Sequence, residues 1–124
     1  MNITRIIQIV AGIAGLLALV LGLSIWFAQT YVVLPVHMIL GLIVALGLLI
    51  VSILALLTSG LRLLGAIGVI YAVFVPVFGL TQTGILVGDL HWLIRIAHLL
   101  VGIGAMALIG NIGARYVRLR QAPA

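Results

Sequence analysis

The sequence predicts an all-α fold: an integral membrane, antiparallel four-helix bundle that forms a single domain. Of its 124 residues, 66% are hydrophobic and only 6% are charged. Soluble domains carry charge on about a quarter of their residues, so this chain does not belong to that class. Its apolar runs exceed the roughly 20 residues that a helix needs to cross a bilayer. The runs allow four spans and leave no room for a separate soluble domain.

The ends of the apolar runs set the boundaries of the four predicted spans. They cover residues 6–28, 34–57, 61–80 and 90–114. A short turn separates the second span from the third, so these two must be antiparallel neighbours. The first apolar run is too long for a signal peptide and no small-residue cleavage site follows it, so we expect it to be retained.

Charged residues mark the ends of the spans. The net charge of +5 comes from six arginines against a single acid, Asp89. Arg5 precedes the first span, Arg62 lies at the turn before the third, and three arginines follow the fourth. Arginines concentrate on the cytoplasmic side of membrane proteins, so both termini are predicted to be cytoplasmic, in a prokaryotic-type inner membrane. The expected partner of these charges is the lipid bilayer, and no nucleic acid is expected.

An internal repeat is predicted, with residues 5–57 and 62–118 forming two related helical hairpins. His37 and the glycine four residues after it recur in the second half as His98 and its following glycine. Arg5 and Gly22 of the first hairpin match Arg62 and Gly79 of the second at an offset of 57, whereas the histidines match at an offset of 61. If the halves are related, the two histidines lie at equivalent depths, in the outer half of the membrane.

The two histidines are the main candidate functional residues. An ionisable side chain inside a membrane span is rare and needs a functional or structural reason. Two imidazoles from facing helices are the ligands that a low-spin haem iron accepts, and the cores of helix bundles commonly hold such sites. His37 and His98 are therefore predicted to be the axial ligands of one haem b per chain.

Four further residues are predicted to contribute to this site. Gly41 and Gly102 each follow a histidine by four residues and would leave space where a porphyrin edge passes. Arg95 lies one turn before His98, where its guanidinium could pair with a haem propionate. His91 shares that helix face. If His91 is also a ligand, the chain binds more than one haem, or haem lies between two subunits.

Other interpretations of these residues stay open. The histidines could be hydrogen-bonded packing elements of a cofactor-free accessory subunit or small transporter. Arg95 could extend towards the headgroups, and His91 could cap its helix. Zinc would need three or four ligands, and the chain has no cysteine or glutamate to complete the set. Rows of small residues four apart, such as Ala14, Ala18 and Gly22, offer faces for close helix packing or for a homo-oligomer.

A bundle with one histidine on helix two and one on helix four, both in the outer half, resembles one half of heme A synthase. In broad plan it is similar to other transmembrane b-type cytochromes. His37, His98 and Arg95 carry the resemblance, which implies a haem-holding half. The catalytic half of that family has an acidic residue shortly before the first histidine, and some synthases have a cysteine pair. Residues 31–36 include no acid and the chain has no cysteine, so the resemblance does not extend to haem hydroxylation.

No catalytic group other than the iron is visible, so we expect an electron-transfer or haem-handling protein rather than an enzyme. One haem in the outer half cannot carry electrons across roughly 30 Å of hydrocarbon by itself. A quinol, a redox protein or a second haem would have to exchange electrons with it.

Overall fold

The computed structural model describes residues 2–122, and within them four long α-helices account for most of the chain. The helices are α1 (Ile3–Ala28), α2 (Leu34–Leu56), α3 (Arg62–Thr81) and α4 (His91–Gln121). Short 3₁₀ turns precede α2 (Tyr31–Val33) and follow α3 (Gln82–Gly84). Each of the four helices is long and apolar enough to cross a membrane. The predicted all-α four-helix fold is confirmed.

The helix boundaries follow local chemistry more closely than hydropathy. Helix α1 begins earlier than predicted because the side chain of Asn2 accepts a hydrogen bond of 2.9 Å from the backbone N–H of Arg5 and so caps the helix. Helix α4 continues well past the predicted end at residue 114. Arg118 and Arg120 lie in its last turn, where arginine is a good helix former and its charge suits the negative end of the helix dipole.

Helices α2 and α4 form the centre of the bundle. Helix α2 packs against the other three helices, and α4 packs against α1 and α3 as well. In the described part of the chain, α1 and α3 do not touch each other. Leu48 and Val51 of α2 and Ala105 and Ile112 of α4 are almost completely buried and form the core. The central position of α2 and α4 brings their polar side chains together.

Small residues allow the helices to approach closely. Ala14 and Ala18 of α1 are buried inside the bundle, so this row of small residues serves packing within the chain. A Cβ atom built on Gly65 of α3 would lie only 2.7 Å from the Cα atom of Leu56. The α2–α3 contact therefore depends on a glycine at this position.

Candidate functional site

The structure brings His37 and His98 together across the contact between α2 and α4. Their ring centroids lie 6.0 Å apart and their planes are inclined by 55°. Pro35 lies in the first turn of α2, where its missing N–H is tolerated, and so places His37 close to the helix start. The pair therefore lies near one end of the bundle, which we call the histidine end.

His37 is oriented by a hydrogen bond to the neighbouring helix. Its Nδ1 atom lies 2.8 Å from the backbone carbonyl oxygen of Ala18. A carbonyl can only accept, so Nδ1–H donates, and Nε2 of the neutral ring keeps its lone pair. A Cβ atom at Gly22 would lie 3.0 Å from Cε1 of His37. The glycine thus lets the imidazole lie directly against α1.

His98 has a similar glycine but no equivalent hydrogen bond. A Cβ atom at Gly79 would lie 3.5 Å from its Cε1 atom, and the ring of Phe78 lies 6.1 Å away between centroids. The Nδ1 atom of His98 is buried, and it has no hydrogen-bond partner among residues 2–122. Buried polar atoms are nearly always paired, so this nitrogen requires an explanation.

The geometry of the two imidazoles fits a shared metal ion. An imidazole nitrogen binds a transition metal at about 2 Å, so two rings on opposite sides of one ion have centres roughly 6 Å apart. The observed spacing of 6.0 Å is close to this value, and it is also the spacing of an ordinary contact between two rings. Metal-binding histidines usually donate their second ring N–H to a carbonyl or carboxylate, as His37 does to Ala18. The chemistry of the donor set, two imidazoles on facing helices, fits a haem iron.

A protein-only metal site is less well supported. Residues 2–122 contain no group of three or more histidine, cysteine, aspartate or glutamate side chains placed to hold one ion. Structural zinc takes four ligands and catalytic zinc takes at least three from the protein. Two imidazoles suit an ion whose other ligands belong to a macrocycle.

Gly41 and Gly102 border open space. Within the described residues, no side-chain or neighbouring-helix atom lies within 4 Å of a Cβ atom built at either glycine. Neither glycine is therefore needed for packing between helices of this chain. The expected contact of both with a porphyrin edge stays a prediction.

The structure places His91 apart from the imidazole pair. Its Nδ1 atom donates to the backbone carbonyl oxygen of Ile85 at 3.1 Å, which ties the α3–α4 connection to the first turn of α4. The seven residues from His91 to His98 correspond to about 10 Å along the helix axis. Arg95 is exposed between them, and no ion pair is present among residues 2–122. Arg95 is thus free to meet an anionic group, whereas His91 already has a structural partner.

Several residues around the pair were not predicted from the sequence. Ala18 contributes only its backbone carbonyl, which no side-chain pattern reveals. Gly22 and Gly79 were visible as matching positions of the predicted repeat, and both lie against a histidine. Tyr71 of α3 donates to the backbone carbonyl oxygen of Val101 at 2.9 Å, close to His98 on α4.

The site is defined by four elements that meet at the histidine end. Helices α2 and α4 supply the imidazoles, and α1 and α3 supply the surfaces on which the rings lie. The resemblance to one half of heme A synthase stays a prediction from His37, His98 and Arg95. Comparison of the chain with models of protein families, with curated proteins and with solved structures gave no match.

Proposed function

We propose that this chain is a membrane cytochrome b that binds one haem b through His37 and His98. The observation that carries the proposal is the pair of facing imidazoles on α2 and α4, whose centroids are 6.0 Å apart. When bound, the haem would supply one-electron redox chemistry. With His37 and His98 both holding the iron, the site would favour electron transfer over the binding of oxygen.

The residues around the pair would orient the ligands and control their surroundings. The carbonyl oxygen of Ala18 holds the His37 ring and increases the basicity of its Nε2 atom. Phe78 covers one side of His98 with an apolar ring. Arg95 lies one turn before His98 on α4, where its guanidinium could bind a propionate through charge-assisted hydrogen bonds. Gly41 and Gly102 would accommodate the porphyrin edge.

The position of the two histidines near one end of the bundle limits where the haem could exchange electrons. From His37 to the end of α2 at Leu56 the helix continues for about 28 Å, most of the hydrocarbon thickness. A single haem at the histidine end would therefore exchange electrons on that side of the membrane. We infer a quinol or a redox protein as partner, with the arginine-bearing termini on the cytoplasmic side of a prokaryotic-type inner membrane.

One observation favours a second candidate, a cofactor-free accessory subunit or small transporter. The bond from His37 to Ala18 links α1 to α2 without any cofactor, as polar side chains commonly do between membrane helices. In this alternative the buried Nδ1 atom of His98 has no partner among the described residues, as is also true of the hydroxyls of Thr4 and Ser52. Haem binding gives this region a role that includes both imidazoles.

Haemin titration of the detergent-purified protein tests the proposal. We expect a Soret band that saturates at one haem per chain, with the spectrum of a low-spin, bis-histidine iron. His37→Ala and His98→Ala should each abolish that spectrum, because either change removes an axial ligand. His91→Ala is the matched control and should keep full stoichiometry, since its ring bonds to the connection before α4.

Three results would contradict specific parts of the proposal. A protein that stays colourless after haemin is added would leave the cofactor-free alternative. A low-spin spectrum that survives either ligand substitution would show that the iron is held elsewhere. Loss of haem in His91→Ala would favour haem bound by His91, including haem held between two subunits.

A further inference from the structure

The end of the bundle opposite the histidines, which we call the arginine end, has a strong and uncompensated positive charge. Five of the six arginines lie there: Arg5, Arg62, Arg115, Arg118 and Arg120. The single acidic side chain of the chain, Asp89, precedes α4 at the histidine end. The arginine end therefore has no acidic side chain of its own to neutralise these charges.

Two of these arginines line a cleft of about 300 Å³ at this end. The cleft lies between the α2–α3 turn and the last turns of α4, and its lining residues are Gly60, Leu61, Arg115, Arg118 and Leu119. Arg115 and Arg118 are three residues apart on α4 and so share one helix face. Both are exposed, and the single acidic side chain, Asp89, lies at the opposite end of the bundle. The cleft is thus lined by two exposed arginines on one helix face.

The neighbouring Arg120, unlike Arg115 and Arg118, has an aromatic partner within residues 2–122. Its guanidinium lies 5.3 Å from the ring centroid of Tyr116, within the distance of a cation–π contact. It is not part of the cleft lining. The protein therefore provides an aromatic partner for Arg120 and leaves Arg115 and Arg118 for a partner from outside the chain.

Helix lengths place the cleft at the level of lipid headgroups. The 20 residues of α3 extend about 30 Å, which equals the thickness of the hydrocarbon core, and Gly60 and Leu61 come just before this helix. The 31 residues of α4 extend about 46 Å, so its last turns pass beyond the core. Arg115 and Arg118 consequently face the α2–α3 turn at the membrane surface.

We propose that this cleft binds the headgroup phosphate of an anionic phospholipid. Guanidinium groups match phosphate oxygens with paired, charge-assisted hydrogen bonds, and two of them on one face can hold a single phosphate. The chemistry would be the same for free phosphate. The cleft lies beside the bilayer surface, and the exposed apolar side chain of Leu119 flanks it, which suits the glycerol and upper acyl carbons of a lipid.

Lipid binding in this cleft is a more specific role for arginines than setting the membrane topology. Positive charges of any geometry hold a loop on the cytoplasmic side and attract an anionic membrane surface. A shared cleft predicts that two particular arginines contribute more to lipid binding than other arginines at the same end. The difference between the two groups of arginines is what an experiment can measure.

Native mass spectrometry of the protein in neutral detergent tests the proposal. The protein is titrated with phosphatidylglycerol and, separately, with phosphatidylcholine. The cleft variant is Arg115→Gln/Arg118→Gln. The matched control is Arg5→Gln/Arg120→Gln, which removes the same charge from the same end outside the cleft. We expect the cleft variant to bind its first phosphatidylglycerol about tenfold more weakly than the unsubstituted chain, and the control to change by about twofold.

Equal losses in the two variants would overturn the proposal, because they would indicate a diffuse electrostatic field. An unsubstituted chain that does not prefer phosphatidylglycerol to phosphatidylcholine would overturn it as well. Displacement of the lipid by inorganic phosphate would show that the site binds a soluble anion instead. Arg115→Lys/Arg118→Lys keeps the charge and the surface positions. It should bind phosphatidylglycerol with intermediate affinity if paired hydrogen bonds matter, and unchanged affinity would contradict that part of the proposal.

Discussion

In each of the two hairpins a histidine ring lies near a glycine, but the hairpins differ in the hydrogen bonding of the imidazole. In the α1–α2 hairpin, His37 lies on Gly22 and donates to the carbonyl oxygen of Ala18. In the α3–α4 hairpin, His98 lies near Gly79, and its buried Nδ1 atom has no partner within residues 2–122. A hydrogen bond to the protein thus fixes the ring of His37, whereas no such bond fixes the Nδ1 atom of His98.

In the second hairpin, the hydrogen bond between helices comes from Tyr71, which donates to the carbonyl oxygen of Val101. In the alignment of the predicted repeat, Ala14 occupies the matching position of α1, and its side chain has no polar group. Between the two helices of each hairpin there is thus one side-chain bond to a backbone carbonyl, from the histidine in one hairpin and from the tyrosine in the other. This arrangement leaves the Nδ1 atom of His98 without a hydrogen bond among residues 2–122.

Removing each imidazole from the haem-free protein should give the largest contrast between the hairpins. We expect His37→Ala to lower the free energy of unfolding by about 1–2 kcal/mol, because it removes both ring packing and a hydrogen bond between helices. His98→Ala should lower it by about 1 kcal/mol less, since it breaks no hydrogen bond and removes a buried unpaired nitrogen. Reversible unfolding in mixed micelles with increasing dodecyl sulfate measures both values.

The comparison of these two variants needs haem-free protein, because haem binding would stabilise the native state and hide the difference. Equal losses in the two variants would show that the bond from His37 to Ala18 adds nothing to stability. A larger loss in His98→Ala would mean that packing against Phe78 dominates.

The two glycines should respond differently to a methyl group. In Gly22→Ala the new Cβ atom would lie 3.0 Å from Cε1 of His37, and the ring cannot move without lengthening its 2.8 Å bond to Ala18. We expect a loss of about 1 kcal/mol from this overpacking. In Gly79→Ala the 3.5 Å distance to Cε1 of His98 is an ordinary contact. Alanine is also the better helix former, so this variant should be neutral or more stable.

Thermal unfolding followed by circular dichroism measures both glycine variants in the same detergent. The contrast predicts a lower melting temperature for Gly22→Ala than for Gly79→Ala. If Gly79→Ala were the less stable of the two, the space around His98 would be smaller than the structure indicates.

The fold could be predicted because a bilayer demands uniform, long apolar helices. Pro35 marked the start of α2 correctly, since its lack of an N–H restricts it to the first turn. Helix α4 continues past residue 114, where the predicted span ends, because hydropathy measures affinity for lipid, whereas a helix rich in arginine can continue into water. Hydropathy therefore locates spans better than it locates helix ends.

The site could be predicted only in part. His37 and His98 were identifiable because polar side chains are scarce in these spans, and the structure brings them together. The bond to Ala18 could not be predicted, because every residue has a carbonyl and the rotation of α1 about its axis decides which one faces the ring. His91 looked equivalent to His98 by helix periodicity. Its bond to Ile85 depends on the path of the preceding connection, which periodicity does not describe.

The smallest expected effect concerns the hydrogen bond from Tyr71, which links the helices of the second hairpin as the bond from His37 links those of the first. Tyr71→Phe removes the donor to Val101 and keeps the ring, so we expect a loss of about 0.6 kcal/mol, typical of a hydrogen bond between membrane helices. Combining Tyr71→Phe with His37→Ala should give additive losses in the haem-free protein, because the two bonds link different helix pairs. The same micelle unfolding assay measures the single and double variants. A double loss well above the sum would mean that both bonds support one shared contact of α2 with α4, and the hairpins would then not be independent units.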